Sequence, residues 1–422
     1  MLISFGLNED GQCGSKRRTS EIDSQERKGS PQSPLSPIRK RMMSSMVKQG
    51  SVPTVLSFPV LCRIKSVAAG SRHSLALSED GRVFAWGWGL LGQLGLGHNK
   101  NIHNPVQIPG FSEPVVSVSA GGMHSACIDE LGQCYTWGSA QYGQLGQGEM
   151  AVEDSIRNAP GKVTAPDCVD RFVLKRVACG GMHTAAIDDD GAVWCWGRAD
   201  SGQAGCGQWL FNFFSGLVVP HRVTAVTEPA TAVACGGFHT VVVTEAGRVF
   251  SFGKEDFGML GTGNGGDGGK PKIIEAIRDK RVVGVACGGW HTLLWTDEGE
   301  MFACGKGEYG RLGLGHEESR TEPTKVDLGE DVRVVAASAG GSHSMILTSA
   351  GVVYAVGRTD DGRLGVDGVS GDRLCTPARI DGKFIAPHFE NPKVTQVCTG
   401  GSHSFVLTSA EDKDAPSVSV LG

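Results

Sequence analysis

The sequence lacks features that define several large classes of proteins. No Cys-x-x-Cys pair occurs among its 13 cysteines, so the common redox and zinc-binding arrangements are absent. It contains no apolar run of the roughly 18 residues that a transmembrane helix needs. The first residues carry neither a basic flank nor a long apolar core, so we expect no secretory signal. These absences favour an intracellular protein, in the nucleus, the cytoplasm or both, with reduced thiols and no membrane span.

Tyrosine is scarce, with four residues, whereas glycine is abundant, with 62 of the 422 residues. Glycine at this level, without a collagen period, indicates many tight turns between many short strands. The formal net charge of −5 and the charged fraction of 20% are ordinary for a globular protein. Composition alone therefore points to an all-β fold rich in turns.

A repeat organises the chain. Of its 12 histidines, seven lie in the context Gly-x-x-His, separated by 51 to 60 residues: His73, His124, His183, His239, His291, His343 and His403. Eight residues after each of the first six comes a glycine: Gly81, Gly132, Gly191, Gly247, Gly299 and Gly351. Five further on comes a Trp-Gly-like pair, beginning at Trp86, Trp137, Trp196, Phe252, Cys304 and Val356. A regular period of this length indicates a repeat architecture.

Each unit has the pattern of a small antiparallel sheet. Short apolar runs such as 177–179 and 184–187 are too short for helices, and Asp80-Gly81 is a hairpin signal. A recurring proline, as at Pro105, suits an edge strand because the missing N–H does no harm there. One such unit cannot bury both faces of its sheet, but neighbours stacked around a ring can. The sequence therefore predicts an all-β, seven-bladed β-propeller.

The ends of the chain hold two halves of one unit. Ser4-Phe5-Gly6 matches the Trp-Gly half, and residues 53–56 match its last strand, whereas the unit of His403 lacks its turn glycine. Pairing the two halves would close the ring and remove exposed sheet edges. We therefore predict one propeller formed by residues 1–14 and 50–410, followed by a flexible tail at 411–422.

Residues 15–49 interrupt that divided unit. They carry nine Lys and Arg against three Asp and Glu, a net charge of +6, and are rich in Ser and Pro. This composition predicts a disordered basic insertion. It contains the basic run Arg39, Lys40 and Arg41, and Ser30, Ser33 and Ser36 each precede a proline. The insertion is either a solvated linker or an arm that makes weak contacts with nucleic acid or an import receptor. Phosphorylation would neutralise the positive charge of such an arm.

The motifs Ala-Cys-Gly-Gly-Met-His-Thr (178–184) and Trp-Gly-x4-Gly-Gln-Leu-Gly (137–146) resemble the regulator of chromosome condensation repeat family. The resemblance covers all seven units and implies a seven-bladed propeller. The founder of the family is an exchange factor for the Ran GTPase, and its key acidic and histidine contacts match Gly122, Met182 and Trp290 here. None of these side chains carries charge. We therefore favour a non-enzymatic protein-interaction module. The alternative is a chromatin-associated guanine-nucleotide exchange factor for a Ran-type GTPase.

The position before each repeat histidine varies while its surroundings do not, which makes it a candidate contact for a protein partner. The candidate residues are Arg72, Met123, Met182, Phe238 and Trp290, followed by Ser342 and Ser402. Four successive units thus carry a large apolar side chain. These side chains either plug the central channel or form an exposed apolar arc. The apolar loop 209–217 is another place for a partner to bind.

No catalytic, cofactor or metal site is expected. Seven histidines, one per blade, would be too far apart to share an ion, so each is predicted to hydrogen-bond locally at a blade corner. Cys179, Cys235 and Cys287 recur in the sequence Ala-Cys-Gly-Gly and are predicted to be structural. Residues 87–92 and 305–310 match the dinucleotide pattern, but no helical period follows them.

Overall fold

Seven antiparallel four-stranded sheets are arranged as the blades of a β-propeller. This computed structural model describes residues 1–14, 54–148, 155–207, 216–263, 268–381 and 393–409. Blade 1 consists of β3 (Ile64–Ala69), β4 (His73–Ser78), β5 (Val83–Gly87) and β6 (Ile102–Gln107). Blade 2 consists of β7 (Val115–Ala120), β8 (His124–Asp129), β9 (Cys134–Ser139) and β10 (Ile156–Lys162). Blade 3 consists of β11 (Leu174–Cys179), β12 (His183–Asp188), β13 (Val193–Gly197) and β14 (Leu217–Arg222). The predicted fold class is confirmed.

Blades 4 to 6 repeat the same order of four consecutive strands. Their strands are β15 (Ala230–Cys235), β16 (His239–Thr244), β17 (Val249–Gly253) and β18 (Lys272–Ile273); β19 (Val282–Cys287), β20 (His291–Thr296), β21 (Met301–Gly305) and β22 (Arg320–Lys325); and β23 (Val334–Ala339), β24 (His343–Thr348), β25 (Val353–Arg358) and β26 (Arg373–Arg379). Four short 3₁₀ turns complete the described elements: Asp256–Gly258, Glu275–Ile277, Glu308–Gly310 and Asp360–Gly362.

Blade 7 joins the two ends of the chain. It is formed by β27 (Lys393–Thr399), β28 (His403–Ser409), β1 (Leu2–Gly6) and β2 (Thr54–Val55), in the sheet order β2-β1-β28-β27. β1 pairs antiparallel with β28 from Leu2 opposite Leu407 to Gly6 opposite His403. The predicted closure of the ring is confirmed, and β2 pairs with Ile3 and Ser4 on the other side of β1.

The turns follow from the glycine pattern. Gly81 adopts a φ of +83°, and a Cβ there would lie 2.5 Å from Pro114 of the next blade. A side chain at this hairpin would therefore be strained and would clash. In blade 1, Pro105 lies on the outermost strand, where the pairing register shifts between Ala85 and Gly87. The prediction that proline occupies an edge strand is confirmed in this blade.

The hydrophobic core is divided among the junctions between blades. Between blades 7 and 1, Leu2, Leu56, Trp86 and Phe405 form one buried cluster, in which the rings of Trp86 and Phe405 meet edge to face at 5.8 Å. Burial of such a side chain stabilises the fold by about 1.5–3 kcal/mol. Each blade thus contributes one face to each of two cores, which is why the ring must close.

No helix among the residues that the structure covers is long and apolar enough to cross a membrane. The predicted basic insertion at 15–49 and the predicted tail at 411–422 lie outside the described residues. Arg39, Lys40 and Arg41, and Ser30, Ser33 and Ser36, belong to that insertion.

Candidate partner-binding face

One end of the propeller carries the loops between the first and second strands and between the third and fourth strands of every blade. We call this end the loop face. The two sets of loops are tied together: the N–H of Lys254 donates to the carbonyl of Phe238 at 3.0 Å, and the N–H of Lys306 donates to that of Trp290 at 2.8 Å. Because these hydrogen bonds recur around the ring, the residue before each histidine is fixed in position by its backbone.

At the axis, backbone groups form a closed ring. The residue after the first glycine of each Gly-x-x-His loop donates its N–H to the first glycine of the next blade's loop, at 2.9–3.2 Å. At Gly121, for example, a Cβ would lie 2.4 Å from the carbonyl oxygen of Gly180. Only glycine permits this approach at these positions. The resulting central cavity, of about 120 Å³, is lined by the last residues of the first strands and by these glycines.

A second ring links the histidines to hydroxyl groups. Each histidine Nε2 lies 2.8–3.0 Å from the Ser or Thr hydroxyl of the next blade, from His73 with Ser125 round to His403 with Ser74. Each of these hydroxyls donates to a backbone carbonyl of the preceding blade; Ser125, for example, donates to Gln93 at 2.9 Å. Since the hydroxyl proton is used there, the histidine Nε2–H must be the donor.

This arrangement keeps the histidines neutral. The Nδ1 atom of each of the seven is buried and has no hydrogen-bond partner among the described residues. Burial lowers the pKa of His73 to about 3 and that of His183 to about 4. The pKa values of His291 and His343 are also lowered well below the usual value, first by burial and then by nearby arginines. An uncharged imidazole in a dry site suits a structural donor.

The histidines are therefore structural, as expected, but they do not bond locally. Their partners lie on the neighbouring blade, which sequence analysis missed. The signal was present, because every repeat histidine is followed directly by Ser or Thr. Of the cysteines predicted to be structural, Cys179 is buried, whereas Cys235 and Cys287 are half-buried; all three line the central cavity. Among the described residues, no group of three or more His, Cys, Asp or Glu could hold a metal ion.

The large apolar side chains of the candidate arc lie outside the lining of the central cavity. Met123, Met182, Phe238 and Trp290 are half-buried, and none of them lines the central cavity. Two members meet directly, because the rings of Phe238 and Trp290 lie 5.0 Å apart. Phe257, from the next loop of blade 4, meets Trp290 edge to face at 5.8 Å and is 45% exposed. An aromatic cluster of Phe238, Trp290 and Phe257 thus lies on the loop face.

Arg72, at the other end of the predicted arc, is bound within the chain. Its guanidinium lies 2.5 Å from the carboxylate of Asp10 in blade 7 and 5.5 Å from the ring centre of Trp88. The side chain still exposes 48% of its surface. Arg72 therefore joins blades 7 and 1 on the loop face and is separate from the aromatic cluster. Met182 accepts a hydrogen bond from Arg198 at 3.5 Å.

Four successive blades carry a basic residue followed two positions later by an acidic one. These pairs are Arg198 with Asp200, Lys254 with Asp256, Lys306 with Glu308 and Arg358 with Asp360, each 2.6 Å apart. The cations also lie over aromatic rings: Lys254 is 5.3 Å from the ring centre of Trp290, and Lys306 is 4.8 Å from that of Phe257. The Lys/Arg-x-Asp/Glu pattern at one repeat position was the sequence signal for this surface.

The adjoining loop takes one of two shapes, and the residue at one position, glutamine in four blades, differs between them. In four blades the glutamine that follows the loop glycine accepts the N–H of the residue two positions earlier, at 2.8–3.0 Å: Gln12, Gln93, Gln144 and Gln203. Blades 4 to 6 have Met259, Arg311 and Arg363 at this position. There the residue two positions earlier takes a positive φ: Phe257 at +60°, Tyr309 at +62° and Asp361 at +61°. Loss of the glutamine thus accompanies a left-handed backbone at Phe257, which is exposed, and at Tyr309 and Asp361, which are half-buried; in blade 5 the N–H of Tyr309 donates to Glu317 instead, at 2.9 Å.

The two arginines that replace glutamine are buried cations. Arg311, 3% exposed, donates to the carbonyls of Glu308 and Gly341, and Arg363, 5% exposed, donates to Asp361 and Ser342. Desolvation lowers the pKa of both guanidinium groups. The hydrogen bonds of Arg311 join blade 5 to the loop of Gly341 in blade 6, whereas those of Arg363 join two loops within blade 6. The apolar loop suggested at 209–217 lies outside the described residues as far as residue 215, while Leu217 is half-buried in β14.

Comparison with known proteins gives the same repeat architecture. The family model described as RCC1-like domain matches residues 1–345 and 110–414. The chain belongs to the RCC1-like family. It is 32% identical over 346 residues to the mitochondrial RCC1 domain-containing protein RUG3 of Arabidopsis thaliana, covering 81% of this chain and 76% of that protein.

Two further comparisons extend this result. The chain is 34% identical to the ultraviolet-B receptor UVR8 of Arabidopsis thaliana over 325 residues, covering 76% of this chain and 71% of UVR8. The crystal structure of Prp20p from Saccharomyces cerevisiae matches with a TM-score of 0.73 at 22% identity, covering 97% of this chain and 92% of that chain. That structural likeness supports the propeller fold.

Proposed function

We propose that this RCC1-like propeller is a non-enzymatic protein-interaction module whose partner binds the loop face over blades 3 to 6. The observation that carries the proposal is the aromatic cluster of Phe238, Trp290 and Phe257. It is contiguous, partly exposed and surrounded by charged pairs. Aromatic side chains at the centre of a patch with a charged rim are the usual energetic anchors of protein interfaces.

The position of the cluster supports the same proposal. The aromatic side chains stand on loops whose backbones are fixed by the two hydrogen-bonded rings, so a partner would meet a rigid surface. A rigid site binds at a lower entropic cost than a flexible loop. Arg72 and Met123 remain proposed contacts at one side of the surface. Met182 is joined to this surface by the hydrogen bond that it accepts from Arg198.

Comparison of three immobilised proteins tests the proposal: the full chain, its Trp290→Ala variant and its Val335→Ser variant. Val335 is 48% exposed and lies near the start of β23, at the other end of the propeller. A soluble partner captured from cell extract by the full chain is then purified and titrated. We expect Trp290→Ala to weaken that binding by at least ~2 kcal/mol and Val335→Ser to leave it unchanged. Equal binding by all three would place the partner elsewhere.

A second function is a guanine-nucleotide exchange factor for a Ran-type small GTPase. The observation that favours it is the structural likeness to Prp20p, whose structure was reported with binding properties to Gsp1p and histones. Against it, Gly122, Met182 and Trp290 supply no charge at the three positions where the founder of the family makes its key contacts. Release of labelled GDP from purified Ran, with and without this chain, decides between the two functions.

The basic insertion at 15–49 is a further proposed contact, separate from the loop face. We propose that Arg39, Lys40 and Arg41 bind an acidic receptor or nucleic acid weakly, and that phosphorylation of Ser30, Ser33 and Ser36 weakens this binding. The chain is proposed to act inside the cell, in the nucleus, the cytoplasm or both, although the relative RUG3 is named as mitochondrial. A reporter fused to residues 15–49 should change its distribution when the three serines become glutamate. An unchanged distribution would make the arm a linker.

A further inference from the structure

A cavity of about 310 Å³ lies in blade 5, at the end of the propeller opposite the loop face. Its walls come from the turn between β20 and β21, the end of β22 and the connection to blade 6 at 326–332. Met301 and Val326, which are buried, and Leu328, which is half-buried, give the cavity an apolar part. This volume lies at the lower end of the range for sites that bind small molecules. Blade 5 therefore has room for a small ligand.

The cavity also carries an excess of negative charge. Its ionisable lining residues are one lysine and five acids: Lys325, Glu298, Glu300, Asp327, Glu330 and Asp331. Glu300 is neutralised, because its carboxylate lies 2.7 Å from the ammonium group of Lys325 and 2.8 Å from that of Lys280. The other four acids are exposed, and none of them forms an ion pair with a residue that the structure describes. Four negative charges thus remain uncompensated around the cavity.

The arginine nearest in sequence does not compensate these charges. Arg333, which ends the connection, donates to the backbone carbonyl of Asp297 at 2.8 Å. The connection from blade 3 to blade 4 is different, because its Glu228 is paired with Arg248. Like charges that lie close together are unfavourable, and a cation that binds among them removes this cost. The cavity of blade 5 is thus open to a positively charged ligand.

The mixed lining selects the kind of ligand. A divalent metal ion would bind the carboxylates but would gain nothing from the apolar side chains. An aliphatic polyamine suits both parts, because its methylene segments can lie on apolar surface while its ammonium groups meet the carboxylates. We propose that the cavity binds an aliphatic polyamine, with its methylene chain against Val326 and Leu328 and its ammonium groups at Glu298, Glu330 and Asp331. This site is separate from the loop face and does not rest on the proposed function.

Isothermal titration calorimetry of the full chain with three cations, at one fixed ionic strength, tests the proposal. Spermidine carries several charges on a methylene chain, Mg²⁺ carries charge alone, and butylamine carries a chain with a single charge. We expect spermidine to bind at least about tenfold more tightly than either of the others, because only spermidine engages both the apolar part and several carboxylates. Equal affinities for spermidine and Mg²⁺ would show that the acidic surface attracts any cation, which would overturn the proposal.

Variants locate the site. Asp331→Asn removes a carboxylate and suits the φ of +65° at this position, and Glu330→Gln removes the neighbouring carboxylate. Together they should lower the affinity for spermidine about tenfold and leave the melting temperature nearly unchanged. Glu322→Gln is the matched control for Glu330→Gln, because Glu322 is an exposed carboxylate on β22 of the same blade that does not line the cavity. Unchanged spermidine binding by the double variant, or an equal loss in Glu330→Gln and Glu322→Gln, would overturn the proposal.

Discussion

His403 and Ser74 are separated by 329 positions in the chain, yet the Nε2 of His403 lies 3.0 Å from the Ser74 hydroxyl. This hydrogen bond joins blade 7 to blade 1 and is the last member of the ring of seven. The same hydroxyl donates to the carbonyl of Gln12, at 2.9 Å, in the loop that follows β1. One serine thus connects the two chain ends that form blade 7 to the first complete blade.

Replacing Ser74 tests the value of this connection. In Ser74→Ala the buried Nε2–H of His403 and the carbonyl of Gln12 both lose a partner, so we expect a loss of about 2 kcal/mol in the free energy of unfolding. Urea denaturation measures it. Ser74→Thr should be close to the parent, because blades 3 to 5 use threonine there. Ser71→Ala, at an exposed serine, is the control. Equal loss in Ser71→Ala and Ser74→Ala would contradict the prediction.

The neutral histidines predict a pH dependence of stability. Their folded pKa values, about 3 for His73, His124, His239 and His403 and about 4 for His183, lie below the ordinary 6.5. As the pH falls below 6.5, the unfolded chain therefore binds protons that the folded chain does not. The contribution of each neutral histidine to the free energy of unfolding is fully present above pH 6.5. It is lost as the pH falls from 6.5 to about 4 or 3, by up to about 1.4 kcal/mol per histidine per pH unit.

Melting temperatures measured from pH 8 to pH 5 at constant ionic strength test this dependence. The curve should be flat above about pH 7 and should fall steeply below about pH 6. Stability that rises on acidification over this range would show that the histidines accept protons in the folded state.

Phe257 allows a test of backbone strain. Phe257→Asn and Phe257→Ala both remove the ring and its contact with Trp290, so the difference between them reports the backbone alone. Because φ is +60° here, we expect the asparagine variant to be more stable than the alanine variant by about 1 kcal/mol. Thermal melting of the two proteins measures it. Equal stability would show that the loop relaxes to a negative φ at no cost.

Met259 tests why that backbone is left-handed. Glutamine at the equivalent position is buried in the other loops, so Met259→Gln should fit and accept the N–H of residue 257. We expect Phe257 to move to a negative φ and the stability to rise. Backbone chemical shifts or a crystal structure of the variant would show the change. A Phe257 that keeps its positive φ in the Met259→Gln variant would mean that the ring contacts, and not the missing acceptor, set the conformation.

Removing residues 1–6 tests the closure of the ring. The deletion strips β1 from the middle of blade 7 and takes Leu2, Ile3 and Phe5 out of two interblade cores. We expect aggregation or a much lower melting temperature, because β28 would have an open edge. Deletion of residues 17–45, which lie between β1 and β2 in the chain, is the control and should leave the melting temperature nearly unchanged. An unchanged melting temperature without residues 1–6 would refute the role of β1.

The sequence alone determined the fold because its turns require particular residues. Glycine spacing sets where each hairpin can bend, and Gly81 shows the reason, since its positive φ and its contact with Pro114 leave no room for a Cβ. Seven equal units cannot bury their sheets singly, so the repeat also implied a ring, and the divided unit at the ends implied its closure. These are local constraints that a period in the sequence records.

Only the tertiary structure decided which side chains share the loop face. His73 was expected to bond within its own corner, but the curvature of the ring brings Ser125 of the next blade within 2.9 Å. The sequence around Phe257 shows no special pattern. The exposure of this residue goes with its left-handed backbone and with a buried Met259 at the position where glutamine would accept the N–H of the turn. Its contact with Trp290 joins two blades. Distances between blades depend on how the sheets pack around the axis: the Ser or Thr after each repeat histidine marks the type of partner, but not the blade on which that partner lies.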